Sequence, residues 1–179
     1  MPTTAEIITT AEGVRKSNLA VVKKTAVILI ALVAMLMQSC NSNTVYDQNL
    51  FLPEDGWHYK NRAAFDIEIT DTTHYHNFFV NLRITPDYEY SNLYVLVYAK
   101  SPTGDSTMTR EELKLAETDG RWTGKGSASI ITYRIPIAEK FVPKKTGVYH
   151  FEIEQNMRTN TLKDVVNIGM AVEKGDVVF

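Results

Sequence analysis

Residues 63–70 read A-A-F-D-I-E-I-T, and residues 78–84 read F-F-V-N-L-R-I. In both stretches an apolar residue recurs at every second position. Successive side chains of an extended chain point to opposite faces, so this period of two places the apolar residues on one face. The pattern predicts two β-strands, each with one face buried and the other in contact with water.

Similar patterns continue to the end of the chain, in residues 93–99, 108–116, 131–137, 149–153 and 166–172, with Val166, Ile168, Met170 and Val172 on one face of the last. Residues 93–99 are apolar or aromatic on both faces, which predicts a central strand covered on both sides. Residues 108–116 fit either a strand or a helix, and we favour a strand because both neighbouring segments are strands. Pro136 lies inside its run and predicts an edge strand or a bulge.

Turn-forming residues separate these seven or eight short strands, and no segment predicts a helix with comparable strength. The sequence therefore predicts an all-β fold, an antiparallel β-sandwich that is either immunoglobulin-like or jelly-roll-like. The order of the strands within the sheets does not follow from the sequence.

An export signal precedes this region. Lys23 and Lys24 are followed by an apolar run from Thr25 to Met37, and Ser39 stands directly before Cys40, the only cysteine. The run is shorter than the roughly 20 apolar residues that a transmembrane helix needs. A small residue followed by cysteine after such a run is typical of a lipoprotein signal peptide, with cleavage before Cys40 and acylation of its thiol. An ordinary secretory signal with an incidental free thiol is the alternative.

Residues 1–39 are thus predicted to be a lipoprotein signal peptide, in which residues 1–20 reflect a mis-assigned translation start. Residues 40–52 are polar and predicted to be a flexible lipidated tether, and residues 53–179 to be the β-sandwich domain. Asn41, rather than Asp, follows the cysteine, and the first acidic residue is Asp47. These features favour the cell outer membrane, with the lipid-anchored domain facing the periplasm.

The composition of the mature chain excludes several classes of protein. Removal of residues 1–39 takes away four of the 19 basic and two of the 21 acidic residues, which leaves 15 and 19 and a net charge of −4. The basic footprint of a nucleic-acid-binding protein is missing. Once Cys40 is acylated, no thiol remains for a disulfide or a cysteine-ligated zinc ion.

Candidate catalytic and metal-binding residues are sparse. His74 and His76 lie near Asp71, but this segment is rich in turn formers, and we interpret it as a solvated loop rather than a metal site. Glu152 and Glu154 point the same way from one strand, which favours a polar sheet face over a pair of catalytic carboxylates. We expect neither an enzyme nor a bound cofactor.

Two tryptophans stand where a turn becomes a strand. Trp57 follows P-E-D-G and Trp122 follows D-G-R. Aromatic residues at such positions can contact a partner or a ligand, but we favour the interpretation that both cap the ends of the core.

Several segments together resemble the gliding-motility lipoprotein family GldH of the Bacteroidota. They are C-N-S-N-T-V-Y-D (40–47), P-E-D-G-W (53–57), F-V-N-L-R (79–83), Y-E-Y-S-N-L-Y (88–94), S-P-T-G-D (101–105), D-G-R-W-T-G-K-G (119–126) and F-E-I-E-Q-N-M-R (151–158). The resemblance implies an outer-membrane lipoprotein with a structural or accessory role in gliding motility and the associated type IX secretion machinery. Its partners would be the membrane, through acylated Cys40, and other envelope proteins of that machinery. The alternative is a lipid-anchored β-sandwich that binds carbohydrate or another ligand.

Overall fold

A computed structural model describes residues 43–127 and 129–178, so the predicted signal peptide and Cys40 lie outside the described residues. It contains eleven strands: β1 (Thr44–Phe51), β2 (Trp57–His58), β3 (Ala63–Ile69), β4 (His74–Ile84), β5 (Asn92–Lys100), β6 (Ser106–Lys114), β7 (Lys125–Ser127), β8 (Ile130–Phe141), β9 (Gly147–Gln155), β10 (Thr161–Leu162) and β11 (Val165–Val177). Among the described residues there is no helix, and therefore none that could cross a membrane.

The strands form two main sheets in which every pair is antiparallel. One sheet has the order β1-β11-β4-β8-β7, the other has the order β3-β9-β5-β6, and β10 pairs with β2 in a small third sheet. When the three short strands are left out, the order of the remaining eight is 1-8-3-6 in one sheet and 2-7-4-5 in the other. This is the strand order of a jelly roll. The predicted antiparallel β-sandwich is confirmed, and the jelly-roll alternative describes it.

The core lies between the two sheets and is built by the alternation that the sequence shows. In β3, buried and exposed residues alternate without interruption, and in β4 the side chains of Phe78, Val80, Leu82 and Ile84 are buried. The ring of Phe78 lies 5.2 Å from the ring of Phe151 on β9 of the facing sheet. Burial of such side chains contributes about 1.5–3 kcal/mol each.

The segments whose character was ambiguous are also strands. Strand β6 confirms the preference for a strand over a helix within residues 108–116, and β5 is an interior strand between β9 and β6. Pro136 lies both at a bulge and on an edge. The pairing of β4 with β8 shifts between Phe79, opposite Pro136, and Phe78, opposite Ala138, while β7 covers only the first three residues of β8. The missing N–H of Pro136 therefore leaves no gap in a ladder.

Two expectations are wrong. Thr44–Phe51 do not belong to a flexible tether, because they form β1, whose backbone pairs with β11. Nearly all side chains of β1 are exposed, so this edge strand shows no hydrophobic alternation, and the ordered domain begins about nine residues earlier than predicted. In addition, a bulge near Val165 shifts the register of β11, so Val165 is buried and Val166 is only half-buried.

Candidate functional site

Trp57 is a core residue. Its side chain is fully buried, and its Nε1 donates a hydrogen bond of 2.8 Å to the backbone oxygen of Asn61. Gly56 has a φ of 115°, and a Cβ there would lie 2.8 Å from the backbone oxygen of Leu162. Only glycine fits this close approach, which lets β2 pair with β10 and places the Trp57 side chain on the core side of that small sheet. The capping interpretation applies to Trp57, which cannot present its ring to a partner in this state.

Trp122 lies at the same end of the sandwich but is only half-buried. It forms an isolated bridge with Ala116, and its ring lies 6.5 Å from the ring of Tyr88. Tyr88 is buried and stacks edge-on against Tyr90, of which 37% is exposed. Trp122 thus packs against the core on one side and remains accessible on the other, so the structure leaves both interpretations of this residue open.

The outer face of the four-stranded sheet carries a network of charged side chains. Arg62 lies 2.8 Å from the Glu152 carboxylate and 2.7 Å from that of Glu154. The hydrogen bond from Arg62 lowers the pKa of Glu152. The His150 Nδ1 lies 2.7 Å from Asp66, and this contact, with a smaller contribution from Glu152, raises the pKa of His150. Both glutamates bind one guanidinium and point the same way, as a polar sheet face requires.

The two tyrosines on this face are covered by arginines. The Arg62 guanidinium lies 4.1 Å from the centre of the Tyr98 ring, and that of Arg110 lies 3.9 Å from the centre of the Tyr94 ring. Each pair is held by the attraction of a cation to the face of an aromatic ring. A sugar would have to displace both arginines before it could stack on these rings.

The segment around His74 is a hydrogen-bonded turn. Asp71 contacts the Nδ1 of His74 at 2.7 Å and the ammonium of Lys174 at 2.8 Å, and Lys174, followed by Thr73, holds the pKa of Asp71 well below its usual range. His76 is buried, and this desolvation lowers its pKa. Among the described residues, no three potential ligands of the His, Cys, Asp and Glu types are grouped closely enough to hold a metal ion.

A groove between β6 and β8 was not predicted from the sequence. It encloses about 350 Å³, within the range of small-molecule sites. Its floor consists of apolar side chains from three strands: Phe78, Val97, Ala99, Tyr149 and Phe151. We call this feature the β6–β8 groove.

The groove exists because the two strands beside it do not close over the core. Val97 and Ala99 of β5 pair with Thr109 and Thr107 of β6, so these threonines occupy inward-facing positions that an apolar residue would fill in a closed sandwich. Both are exposed. On the opposite wall, Phe141 of β8 remains 37% exposed. The two inward-facing threonines are the feature of the sequence that could have indicated the groove. Which face of β6 they occupy, however, depends on how β6 pairs with β5.

The amino-acid sequence can be compared with those of known protein families. The sequence model of the GldH lipoprotein family matches residues 44–172, from the first residue of β1 into β11. The chain belongs to the GldH lipoprotein family. The matched range includes Trp57, Trp122 and all the residues that line the β6–β8 groove.

Two relatives of this GldH-family chain extend the comparison. The gliding motility lipoprotein GldH of Flavobacterium johnsoniae is 28% identical over 162 residues, which cover 87% of this chain and 99% of the relative. The gliding motility lipoprotein GldH homolog of Christiangramia forsetii is 27% identical over 158 residues, which cover 84% of this chain and 96% of the relative.

Proposed function

We propose that this protein is a lipid-anchored accessory protein of gliding motility with a structural role. The observation that carries the proposal is its similarity to proteins named as gliding motility lipoproteins along 96% and 99% of their lengths.

The proposal also states where the protein is attached and how. Acyl chains on Cys40 would hold the domain at the outer membrane, facing the periplasm. Cys40 directly follows a small residue at the end of the predicted signal peptide, which supports the lipid anchor. Asn rather than Asp directly after it supports the outer membrane. One acyl chain binds a bilayer only marginally, whereas the two or three chains of a bacterial lipoprotein anchor it stably. Protease added to intact cells should spare the domain, and its removal from whole cells would place it on the outer surface.

We further propose that the protein acts by contact and not by catalysis, and that its partners are envelope proteins of the gliding and type IX secretion machinery. Within the described residues, β6 has a neighbouring strand on one side only. Strand β8 pairs with β4 on one side, and on its other side β7 covers only its first three residues, so that edge is free from Tyr133 to Phe141. Free strand edges can pair with a strand of another protein, and the half-exposed Trp122 offers a second contact. The binding of Glu152 and Glu154 to Arg62 agrees with a structural role for those carboxylates.

A carbohydrate-binding role remains the alternative, but no observation favours it over contact with proteins. The arginines over Tyr94 and Tyr98 occupy the ring faces on which a sugar would stack. Retrieval of polysaccharide without envelope proteins, after crosslinking and solubilisation of the outer membrane in detergent, would reverse this ranking.

Deletion and complementation in the native cell test the function. Loss of gliding, or of type IX cargo from the medium in a non-gliding strain, should follow deletion. Expression of the wild-type protein should restore gliding or secretion, whereas Cys40→Ser should not. The control Ser39→Ala keeps a small residue before the cysteine and should restore the function. Normal gliding and secretion in the deletion strain would contradict the proposal.

A further inference from the structure

The β6–β8 groove opens at the end of the domain where the described chain begins. The backbone oxygen of Asn43 accepts a hydrogen bond of 2.7 Å from the Lys174 N–H. Lys174 pairs with His76 on β4, and His76 pairs with Phe141 on β8. Asn43 and Phe141 therefore lie at the same end of one sheet, three strand spacings apart, which is about 14 Å.

Chain length restricts where a lipid anchor can be. Cys40 precedes Asn43 by three residues, and three extended residues reach at most about 11 Å. If Cys40 is acylated, as the proposed function holds, this end of the jelly roll lies against the bilayer surface. The inference below rests on that anchor.

The same end carries most of the large apolar side chains that water can reach. Ten such residues are exposed among those described, and six lie on the strands and turns at this end: Val45, Met108, Phe141, Val142, Val148 and Val177. Met108 is 59% exposed and Val148 is 52% exposed, while the other four, among them Phe51 at 79%, lie at the opposite end. A group of exposed apolar residues at one end of a domain indicates contact with a partner or a membrane. Because Cys40 lies only three residues before Asn43, we favour the membrane.

The charged residues of the groove are divided between its two walls. Lys144 and Lys145, on the turn between β8 and β9, stand on one side, and Asp105, on the turn that leads into β6, stands on the other. Glu111 lies six residues further along the extended β6, about 20 Å from Asp105. Within the described part of the chain, neither lysine forms an ion pair. A headgroup with an anionic phosphate and a cationic ammonium matches this division, whereas a purely anionic headgroup would meet the Asp105 carboxylate.

We propose that the β6–β8 groove binds one acyl chain of a zwitterionic phospholipid of the membrane that holds the protein. The chain lies on the apolar floor formed by Phe78, Val97 and Phe151. The phosphate faces Lys144 and Lys145, and the ammonium faces Asp105. A lipid bound in this way fixes the orientation of the domain on the bilayer, which attachment at the single point of Cys40 does not do.

Photocrosslinking tests this proposal. The mature lipidated protein is reconstituted into phosphatidylethanolamine vesicles whose lipids carry a photoreactive acyl chain, and the labelled residues are mapped by peptide mass spectrometry. The protein's own acyl chains carry no photoreactive group, so any label reports a vesicle lipid. Label should appear on the floor residues of the groove.

A pair of neighbouring substitutions supplies the control. Thr109→Trp places an indole inside the groove from an exposed position and should reduce labelling of the floor several-fold. Ser106→Trp adds the same indole at an exposed position on the outer face of β6 and should leave floor labelling unchanged. Thermal unfolding of both variants verifies that they fold, and a retained floor label in folded Thr109→Trp would overturn the proposal.

The remaining outcomes are equally decisive. Label confined to exposed side chains such as Val148, or equal floor labelling with phosphatidylglycerol, would overturn the proposed occupant. Floor labelling seen only in a Cys40→Ser chain would show that the protein's own acyl chain fills the groove, which also overturns it. The mass of the protein before reconstitution reports separately whether Cys40 is acylated, so a failed anchor is distinguished from an empty groove.

Discussion

At the scale of single residues, Trp57 and Trp122 show how similar sequence contexts lead to different roles. Each follows a turn that contains a glycine, and the sequence offered the same two interpretations for both. Trp57 is buried beneath the β2–β10 sheet, whereas Trp122 covers Tyr88 and stays half-exposed. The distinction depends on Leu162, which lies about 100 residues along the chain from Trp57 and could not be paired with it from sequence.

Truncation of the two tryptophans should therefore differ in cost. Trp57→Ala removes a fully buried side chain and leaves the Asn61 oxygen without its donor, so we expect the free energy of unfolding to fall by about 3–5 kcal/mol. Trp122→Ala should lower it by clearly less. Urea unfolding followed by circular dichroism measures both, and a smaller loss for Trp57→Ala would contradict the assignment of Trp57 to the core.

His150 should report its neighbours through its titration. Its pKa in the folded state is raised by the contact with Asp66, so the contact stabilises the fold fully below the unfolded value of about 6.5. That stabilisation is lost as the pH rises through the folded pKa. The contribution is small because 41% of the His150 side chain is exposed.

NMR titration of the imidazole checks this prediction. Asp66→Asn should lower the pKa of His150. Glu68→Gln, on the same outer face of β3, removes a carboxylate that does not contact His150 and should leave the pKa almost unchanged. Equal effects of the two substitutions would show that net charge, and not the 2.7 Å contact, shifts the titration.

At the scale of elements, hydrophobic alternation predicted the strands that bury one face and missed those that do not. The alternating stretches in β3, β4 and β9 were assigned from their own residues. Strand β1 is polar in sequence and carries no such alternation, because its side chains are nearly all exposed, and its extended form depends on pairing with the backbone of β11, more than 100 residues away. Strand order and the β6–β8 groove depend on such distant pairings, so local periodicity could not supply either.

The pairing of β1 with β11 depends on a glycine. A Cβ on Gly169 would overlap the backbone oxygen of Gln48 on β1, whereas a Cβ on Gly175 of the same strand would meet no atom closer than 3.5 Å. Gly169→Ala should therefore cost about 1–3 kcal/mol and speed hydrogen exchange in residues 44–51. Gly175→Ala should change neither quantity appreciably. Similar exchange in both variants would indicate that β1 adds little to the sheet.

At the scale of the whole molecule, the jelly roll has two ends with different chemistry. One end lies next to the predicted lipid anchor and carries six of the ten exposed apolar residues, beside the groove, and the other holds the two tryptophans and the exposed Phe51. A domain arranged in this way can contact a membrane at one end while Trp122 and Tyr90 at the other end remain accessible to a partner protein. The fold class and the family were predictable from the sequence, and the assignment of these ends required the strand order.

The most direct test of this account is the mass of the N-terminal peptide of the mature protein isolated from membranes. The account predicts that the peptide begins at Cys40 and carries a diacylglyceryl group on sulfur, with or without a further acyl chain on nitrogen. A free thiol at Cys40, or a chain that begins upstream of it, would contradict the account.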